Sequence, residues 1–404
     1  MTHPSPLRDR LLARDALMLP YGPADAPIDV AGAIAAVELE YAALRKGCAL
    51  FDQPHRATIE VTGSERIDFL NRMLTQELAA LAPWHHRASF WLTRQGRLVA
   101  DLRVCETPER VLIDVDAFAL AATLESLNQY VFAEDIELTD ATARLHRLAL
   151  HGPTSLRLLE LAGTHDAGPA LADLTPGAAC TVTIVGVDVL VERTDLTAEI
   201  GLELTVPTDR VPDVWDHLVS LAALPTPDPT SPRPETELTG AQAEVRLRPA
   251  GWLAINAARI EAGVPLFNVD FGPSSLPAET GVLRARVDFK KGCYLGQEIV
   301  ARMDSRKSIK QAVAAIRFDT PEGTDAPAVP IAGAPVHPDD APDADPVGAV
   351  TSSTLSPMLG AVPIALATVK ASHLDPGTRL RAPTDAGPIV GTVQEHLAFW
   401  LPTR

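Results

Sequence analysis

The chain has 404 residues, which is too long for one ordinary hydrophobic core and predicts two or three packed units. Hydrophobic residues make up 46% and charged residues 22%, a composition typical of globular proteins rather than disordered ones. No window reaches the roughly 18 uninterrupted apolar residues of a membrane-spanning helix. The net charge of −17 argues against non-specific nucleic-acid binding, because a polyanion is repelled on average.

Four cysteines are spread along the chain without a CxxC pair: Cys48, Cys105, Cys180 and Cys293. This spacing argues against a disulfide framework and against a self-contained zinc site. The N-terminal residues mix basic and acidic side chains and lack the apolar segment of a secretory signal. We therefore expect a cytoplasmic protein.

The central part of the chain alternates short strands with helices. Residues 57–62 alternate apolar and polar side chains, which predicts a half-buried strand. Residues 67–74 place apolar side chains at helical spacing, with Ser64 as the expected N-cap. Two hairpins are predicted farther on, one pairing 90–93 with 98–104 and the other pairing 182–185 with 187–191.

Two Pro-rich stretches interrupt this alternation. The prolines of the first, an insertion at 223–240, favour an extended and solvated loop. The second, at 319–346, is typical of a domain boundary or a long surface loop, and the residues beyond it predict strands without helices. We therefore expect an α+β protein with a first region at 1–318, which includes a lobe at about 57–140, and a C-terminal β-barrel at 319–404.

The segment Lys290–Arg302, with the sequence KKGCYLGQEIVAR, combines two glycines, a helix start and an unpaired cysteine. Gln297 and Glu298 predict the first turn of a helix, where an acidic side chain suits the positive end of the dipole. Cys293 follows two lysines, a setting that favours a thiolate if the thiol is exposed. A strand–turn–helix junction with a buried, inert cysteine is the alternative interpretation.

The same region carries a local excess of positive charge. Between Arg284 and Lys310, eight basic residues stand against three acidic ones, which gives +5 in a chain of −17. This basic segment is the expected contact for an anionic ligand or a protein partner. A solvated, charged helix face is the alternative.

The octapeptide KGCYLGQE resembles the signature of the YgfZ family, folate-binding proteins implicated in iron–sulfur cluster assembly and maintenance. GWLAINAARIEAGVPLF at 251–267 is similar to a helix and turn of that family. The segments at 47–63 and 347–369 resemble the related glycine-cleavage T-protein. The resemblance implies a three-lobed cloverleaf, in which two α+β lobes bind tetrahydrofolate in a central hole and a β-barrel follows. The motif residues are Lys291, Gly292, Cys293, Tyr294, Gly296, Gln297 and Glu298.

The resemblance also implies site residues. The T-protein is an aminomethyltransferase that uses an aspartate near the folate N10 atom, and Asp101 in GRLVADL matches it. Glu203 matches a carboxylate that hydrogen-bonds the pterin. Asp116 loosely matches an asparagine near the pterin. Several positions depart from the T-protein pattern. Ala100 replaces the acid before Asp101, Leu196 stands in place of a tyrosine, Ile255 in place of an arginine and Asn256 in place of an aspartate, which puts glycine-cleavage activity in question.

Three functions are compatible with the resemblance. The first is a tetrahydrofolate-binding accessory protein for iron–sulfur proteins, in which Lys291, Cys293 and the basic segment face a client or assembly protein. One cysteine does not hold a cluster alone, so no stably bound metal is expected. The second is a folate-dependent aminomethyltransferase or demethylase, in which Asp101 positions or deprotonates the amine. The third is a degenerate scaffold without folate.

Overall fold

The structure is a computed structural model that describes residues 4–224, 240–306, 309–320 and 327–401. The chain forms two compact units. Unit 1 comprises 1–66, 81–87 and 103–255, and unit 2 comprises 67–80, 88–102 and 256–404. Unit 2 therefore combines the C-terminal part of the chain with two segments from its first third.

The helices within the described residues are mostly short. They are α1 (Arg8–Leu12), α2 (Val37–Lys46), α3 (Arg66–Met73), α4 (Leu120–Asn128), α5 (Ser155–Ala162), α6 (Val211–Ala222), α7 (Ala241–Val245), α8 (Trp252–Glu261), α9 (Leu283–Arg286) and α10 (Gln297–Arg306). None of the helices in this part of the chain is long and apolar enough to cross a membrane.

The strands account for most of the regular structure. They are β1 (Leu17–Tyr21), β2 (Ile28–Ala33), β3 (Cys48–Asp52), β4 (Arg56–Thr62), β5 (His85–Leu92), β6 (Leu98–Glu106), β7 (Val111–Asp116), β8 (Glu137–Asp140), β9 (Leu145–His151), β10 (Gly163–Ala167), β11 (Ala179–Ile184), β12 (Val187–Arg193), β13 (Gly201–Pro207), β14 (Leu247–Pro249), β15 (Gln311–Phe318), β16 (Pro335–Pro338), β17 (Gly348–Ser356), β18 (Val362–Lys370), β19 (Arg379–Ala382) and β20 (Ile389–Val393).

Unit 1 is built around a seven-stranded sheet with the strand order β10-β11-β12-β13-β9-β3-β14. One face of this sheet is apolar and packs against α5 and α6. In α6 the buried residues recur at helical spacing, as Val211, Val214, Trp215 and Leu218 show. Because side chains alternate along a strand, the polar residues of β9, β12 and β13 lie on the opposite face.

A second sheet has the order β5-β6-β7-β4-β8, and its pairing is antiparallel between β4, β6, β7 and β8. Its strands lie within residues 56–140, close to the lobe expected at about 57–140. The strand predicted at 57–62 is confirmed as β4, and both predicted hairpins are confirmed. Ser64 does not cap a helix, because its hydroxyl donates to Asp135 Oδ2 at 2.7 Å.

Unit 2 contains a closed six-stranded barrel with the order β15-β18-β17-β16-β19-β20. Its interior holds apolar side chains such as Ile316, Val350 and Leu380. The α+β class with a C-terminal barrel is therefore confirmed. The barrel nevertheless begins at Gln311 rather than at residue 319, because β15 pairs with both β18 and β20. Most of the Pro-rich insertion predicted at 223–240 lies outside the described residues.

A buried ion pair connects the end of α8 with the barrel inside unit 2. Arg259 Nη1 donates to Asp270 Oδ2, and neither side chain is exposed to solvent. The other oxygen of Asp270 accepts hydrogen bonds from Thr351 Oγ1 at 2.7 Å and from Ser352 Oγ at 2.5 Å, both on β17. Burial lowers the pKa of Arg259, and the neighbouring carboxylate opposes that change. The guanidinium therefore depends on Asp270 for its charge compensation.

We expect Asp270→Ala to lower the free energy of unfolding by about 3–5 kcal/mol, because it leaves the buried Arg259 charge unpaired. Urea unfolding measures the change. Asp339→Ala is the matched control, because Asp339 pairs with Arg381 at 2.9 Å where both side chains are partly exposed. The control change is expected to cost about 1 kcal/mol or less. Equal effects of the two substitutions would contradict the assignment.

Candidate functional site

A network of charged side chains lies in unit 1 on the polar face of the seven-stranded sheet. Arg103 on β6 and Asp114 on β7 are directly opposite each other in the antiparallel register, and Arg103 Nη2 lies 2.8 Å from Asp114 Oδ2. Arg103 Nε also donates to Glu192 Oε1 on β12 at 3.0 Å. The two sheets of unit 1 are therefore joined by ion pairs at this point. We call the set the arginine–carboxylate network; its members are Arg56, Arg103, Asp114, Arg147, Glu192 and Glu203.

The cations of this network control the ionisation of two of its acids. Burial would raise the pKa of Asp114, but the guanidinium groups of Arg147, Arg56 and Arg103 hold that pKa well below its usual range. The pKa of Glu192 is lowered in the same way, because Arg103 and Arg147 outweigh its burial. Both acids are therefore ionised at neutral pH.

Glu203 is the member of the network that the protein leaves open. It lies on β13, is 4% exposed, and its Oε2 is 4.0 Å from Arg103 Nη2. No described residue donates a hydrogen bond to its carboxylate. Burial raises the pKa of Glu203, while Arg103 opposes the increase. When it is ionised, a buried carboxylate without donors from the protein is an acceptor for a ligand with neighbouring N–H donors.

Two further buried polar atoms of this region lack a partner among the described residues. Arg147 Nη2 has no acceptor, and Thr205 Oγ1, two residues from Glu203 on β13, has no hydrogen bond. Buried polar groups are normally hydrogen-bonded, so unsatisfied ones need an explanation such as a ligand or water. Together with Glu203, these atoms leave donor and acceptor capacity that a polar ligand or water would satisfy.

Asp116, which the sequence placed near the pterin, lies at the end of β7 in unit 1. Its Oδ2 accepts a hydrogen bond from the Tyr21 hydroxyl, and its Oδ1 accepts one from the Phe118 amide at 2.9 Å. The Tyr21 ring lies 5.1 Å from the His55 ring, between centroids. Burial and the nearby Asp116 raise the pKa of Tyr21, so that its hydroxyl is a stable donor to the carboxylate.

Asp101, the predicted catalytic aspartate, lies on β6 within unit 2. Arg286 Nε donates to its Oδ1 at 2.7 Å, and both side chains are largely buried. Arg286 belongs to the basic segment that the sequence predicted to face a partner. The structure corrects that expectation for this residue, because its charge is directed to Asp101.

The prediction that Lys291 faces a partner is also wrong. Its side chain is buried in unit 2, and Nζ donates to the carbonyl oxygens of Asn71 at 2.6 Å, Leu74 at 2.8 Å and Gln76 at 2.7 Å. The Asn71 carbonyl belongs to the last turn of α3 and the other two follow it, a place where unpaired C=O groups and the helix dipole favour a cation. Burial lowers the pKa of Lys291 to about 8, although Glu77 and Asp288 oppose that change. Lys291 therefore fastens its segment to the end of α3.

Cys293 is exposed, whereas Cys48, Cys105 and Cys180 are buried. Burial raises the pKa of Cys48 to about 12 and that of Cys180 to about 11, so these thiols are unreactive. The interpretation of Cys293 as a buried packing residue is therefore wrong.

Two neighbours of Cys293 explain how its segment is shaped. Gly296 has φ +82 and passes so close to Thr93 O that a Cβ would lie 2.8 Å from it. Only glycine fits such a position. The predicted helix start is confirmed, because α10 begins at Gln297.

Comparison with known proteins identifies the family. Residues 7–224 match the GCVT N-terminal domain, and residues 317–398 match the glycine cleavage T-protein C-terminal barrel domain. The chain belongs to the glycine-cleavage T-protein family. It is 29% identical over 383 residues to an aminomethyltransferase of Symbiobacterium thermophilum, covering 93% of this chain and 92% of the relative. It is 28% identical over 383 residues to a probable aminomethyltransferase of Halobacterium salinarum, with the same coverage.

The fold agrees with a solved T-protein. The glycine cleavage system aminomethyltransferase T from Bartonella henselae superposes with a TM-score of 0.80 at 20% identity, covering 99% of this chain and 98% of that one. Two of the positions at which the sequence predicted a departure from the T-protein pattern, Leu196 and Ile255, lie in unit 1. Ile255 is 1% exposed and Leu196 is half-buried. Both side chains are apolar and make no hydrogen bonds.

Sequence reasoning missed the partners of two candidate residues: Arg103, near Glu203 in unit 1, and Arg286, which pairs with Asp101 in unit 2. Arg103 stands two positions after Asp101 in an otherwise apolar strand, so both point to the same side of β6. That spacing was a usable signal. Arg286 had no comparable signal, because nothing local distinguishes it from the other basic residues of its segment.

We expect Lys291→Met to lower the free energy of unfolding by about 1.5–3 kcal/mol, because buried carbonyls lose a charged donor. The adjacent Lys290→Met is the matched control, since Lys290 is exposed. Urea unfolding of both variants measures the difference. If Lys291→Met were as stable as Lys290→Met, the anchoring role of the ammonium would be refuted.

Proposed function

We propose that this protein binds tetrahydrofolate or a one-carbon derivative of it, and that Glu203 recognises the pterin. The observation that carries the proposal is the buried Glu203 carboxylate, which receives no hydrogen bond from the described residues and lies beside Arg103. A pterin presents an amino group and a ring N–H on one edge, and a carboxylate accepts both in a bidentate pair. Membership of the T-protein family supports the same ligand.

The other predicted folate residues have different surroundings. Asp101 is the candidate that acts on the one-carbon unit, and its pairing with Arg286 orients the carboxylate. Asp116 remains a predicted pterin contact. Its partner Tyr21 offers a hydroxyl and an aromatic ring to the same ligand.

The first activity that we propose is folate-dependent transfer of an aminomethyl or related one-carbon group. The names of the relatives, which align over almost the whole chain, support it. In this function tetrahydrofolate accepts the one-carbon unit, and Asp101 orients or deprotonates the amine that carries it. The protein supplies binding and positioning, while Arg286 compensates the charge of Asp101.

The second candidate is the accessory function for iron–sulfur proteins that the KGCYLGQE motif suggests. The exposed thiol of Cys293 favours it, and so do the exposed side chains of Lys290 and Arg302 on the same segment. Arg284, with 71% of its side chain exposed, extends this basic surface, although it pairs with Asp304. Lys291 and Arg286 are not part of the surface.

Isothermal titration calorimetry with tetrahydrofolate and with folinic acid tests the binding proposal. We expect the wild-type protein to bind with a dissociation constant on the order of micromolar and Glu203→Gln to weaken binding by roughly tenfold or more, the worth of a charge-assisted hydrogen bond. Glu137→Gln, an exposed glutamate on β8, is the matched control and should bind like the wild type. Absence of binding by the wild type would refute the proposal.

A second experiment separates the two activities. Purified protein is mixed with tetrahydrofolate and an aminomethylated lipoyl carrier, and formation of methylene-tetrahydrofolate is followed for the wild type, Asp101→Asn and Cys293→Ser. One-carbon transfer predicts turnover that falls at least about 100-fold in Asp101→Asn, as expected for loss of a general base, and that is unaffected by Cys293→Ser. Folate binding without turnover in any variant would contradict the transferase and leave the accessory function as the candidate.

A further inference from the structure

Two buried glutamates face each other across neighbouring strands in unit 1. Glu192 on β12 and Glu203 on β13 are directly opposite in the antiparallel register, and they are 0% and 4% exposed. Like charges at directly opposite positions destabilise a pair of strands, and burial strengthens the repulsion. The sheet can hold both carboxylates only if a cation lies against them.

Arg103 is that cation for Glu203. Its Nε is 3.0 Å from Glu192 Oε1, and its Nη2 is 4.0 Å from Glu203 Oε2. Arg147 also pairs with Glu192, at 2.9 Å. Among the arginines of the described chain, however, Arg103 is the one whose guanidinium lies within 4.0 Å of Glu203.

We propose that Arg103 is a positioning residue for ligand recognition: its guanidinium keeps Glu203 ionised and directs the carboxylate toward two adjacent N–H donors of a pterin-type ring. This inference rests on the proposed function, because it names how the same site distinguishes its ligand. An ionised Glu203 offers two acceptor oxygens, whereas a protonated one offers a donor and a weaker acceptor and no longer matches the two donors.

The charge balance of the network explains why Arg103 matters. The groups that face Glu203 are Arg103 from β6, Asp114 from β7, Arg147 from β9 and Glu192 from β12. With Arg56 on β4, the network has three cations and three acids, so it is neutral only when Glu203 is ionised. His86 lies near Glu192, but burial lowers its pKa to about 4, so it adds no charge at neutral pH.

Loss of Arg103 changes this balance in one direction. Burial, Asp114 and Glu192 raise the pKa of Glu203, and among the groups that lower it Arg103 has the largest effect. Without that guanidinium the pKa of Glu203 increases further, so the carboxylate is protonated at lower pH and ionises as the pH rises. Ligand affinity is therefore expected to become dependent on pH, with stronger binding at higher pH.

The geometry also requires an arginine rather than a lysine. The guanidinium contacts Asp114 through Nη2 and Glu192 through Nε, and the same Nη2 lies 4.0 Å from Glu203 Oε2. A planar fork with several fixed N–H groups serves three carboxylates together, whereas an ammonium is a single compact charge. Arg103→Lys should thus keep most of the charge effect and lose part of the orientation.

The experiment is a calorimetric titration with tetrahydrofolate between about pH 6 and about pH 8.5, for the wild type, Arg103→Met, Arg103→Lys and Glu203→Gln. Each variant's dissociation constant is divided by that of the wild type at the same pH. Any effect of the ligand's own titration on affinity cancels in this ratio. For Arg103→Met we expect this ratio to fall with increasing pH, by at most about tenfold per pH unit. For Arg103→Lys we expect a smaller ratio that changes little with pH, and for Glu203→Gln a constant one.

Arg110→Met is the matched control, because Arg110 pairs with Glu60 and makes no ion pair with the acids of the arginine–carboxylate network. Its ratio should remain near one at every pH. If Arg103 had only a structural role, its ratio would be raised equally at all pH values. A pH-independent ratio for Arg103→Met would therefore overturn the inference.

Infrared difference spectroscopy supplies a readout that needs no ligand. Subtracting the spectrum of Glu203→Gln from that of the wild type isolates the Glu203 carboxyl, which we expect to be ionised at pH 7. For Arg103→Met, the spectrum of the double variant Arg103→Met/Glu203→Gln is subtracted instead. That difference should show a protonated Glu203 carboxyl at pH 7. A protonated Glu203 in the wild type at pH 7 would overturn the inference even if Arg103→Met did not fold.

The two proposals can fail separately. If the wild type binds no folate but Glu203 is ionised through Arg103, the ligand assignment fails while the control of Glu203 by Arg103 stands. If the wild type binds folate and Arg103→Met shows no pH-dependent loss, binding stands and the role of Arg103 fails.

Discussion

The burial of three guanidinium groups with three carboxylates between two sheets is the constraint on which unit 1 depends. Removing such ions from water costs several kcal/mol each in effective terms, and the cost is offset only where partners meet with good geometry. Arg56, Arg103 and Arg147 all contact Asp114, at 2.9, 2.8 and 3.3 Å. A one-residue slip of β9 would move Arg147 to the face of the sheet that packs against helices. A slip of β13 would do the same to Glu203. The network therefore fixes strand register as well as charge.

Unit 2 satisfies its buried cations in another way. Lys291 is held by carbonyl oxygens at and just beyond the C-terminal end of α3, and Arg259 is held by one carboxylate that also binds two hydroxyl groups of the barrel. Both arrangements use a cation to connect segments that are distant in sequence. Lys291 thus attaches the turn that carries Cys293 at a point two residues before the cysteine, while Cys293 itself remains exposed.

The sequence was most informative where a local pattern determines the structure. Alternation identified β4 and the hairpins, glycine and acid placement identified the start of α10, and the absence of helical periodicity identified the barrel. Lys291 was wrongly expected on the surface, because no local pattern reveals carbonyls that converge from a helix far along the chain. The same limit hid Arg286, whose partner Asp101 is separated from it by 185 positions. The surroundings of Glu203 were also unreadable, since they depend on the register that sets Glu192 opposite it.

The candidate site residues differ in what their surroundings leave them free to do. Glu203 lies in a network that remains incomplete in hydrogen bonds, whereas the carboxylate of Asp101 already has a guanidinium partner. Leu196 and Ile255, two of the positions at which the sequence predicted departures from the T-protein pattern, are apolar, and neither belongs to the arginine–carboxylate network. In the proposed function, recognition of the pterin by Glu203 therefore does not involve those two positions, so that ligand binding and transfer chemistry depend on different residues.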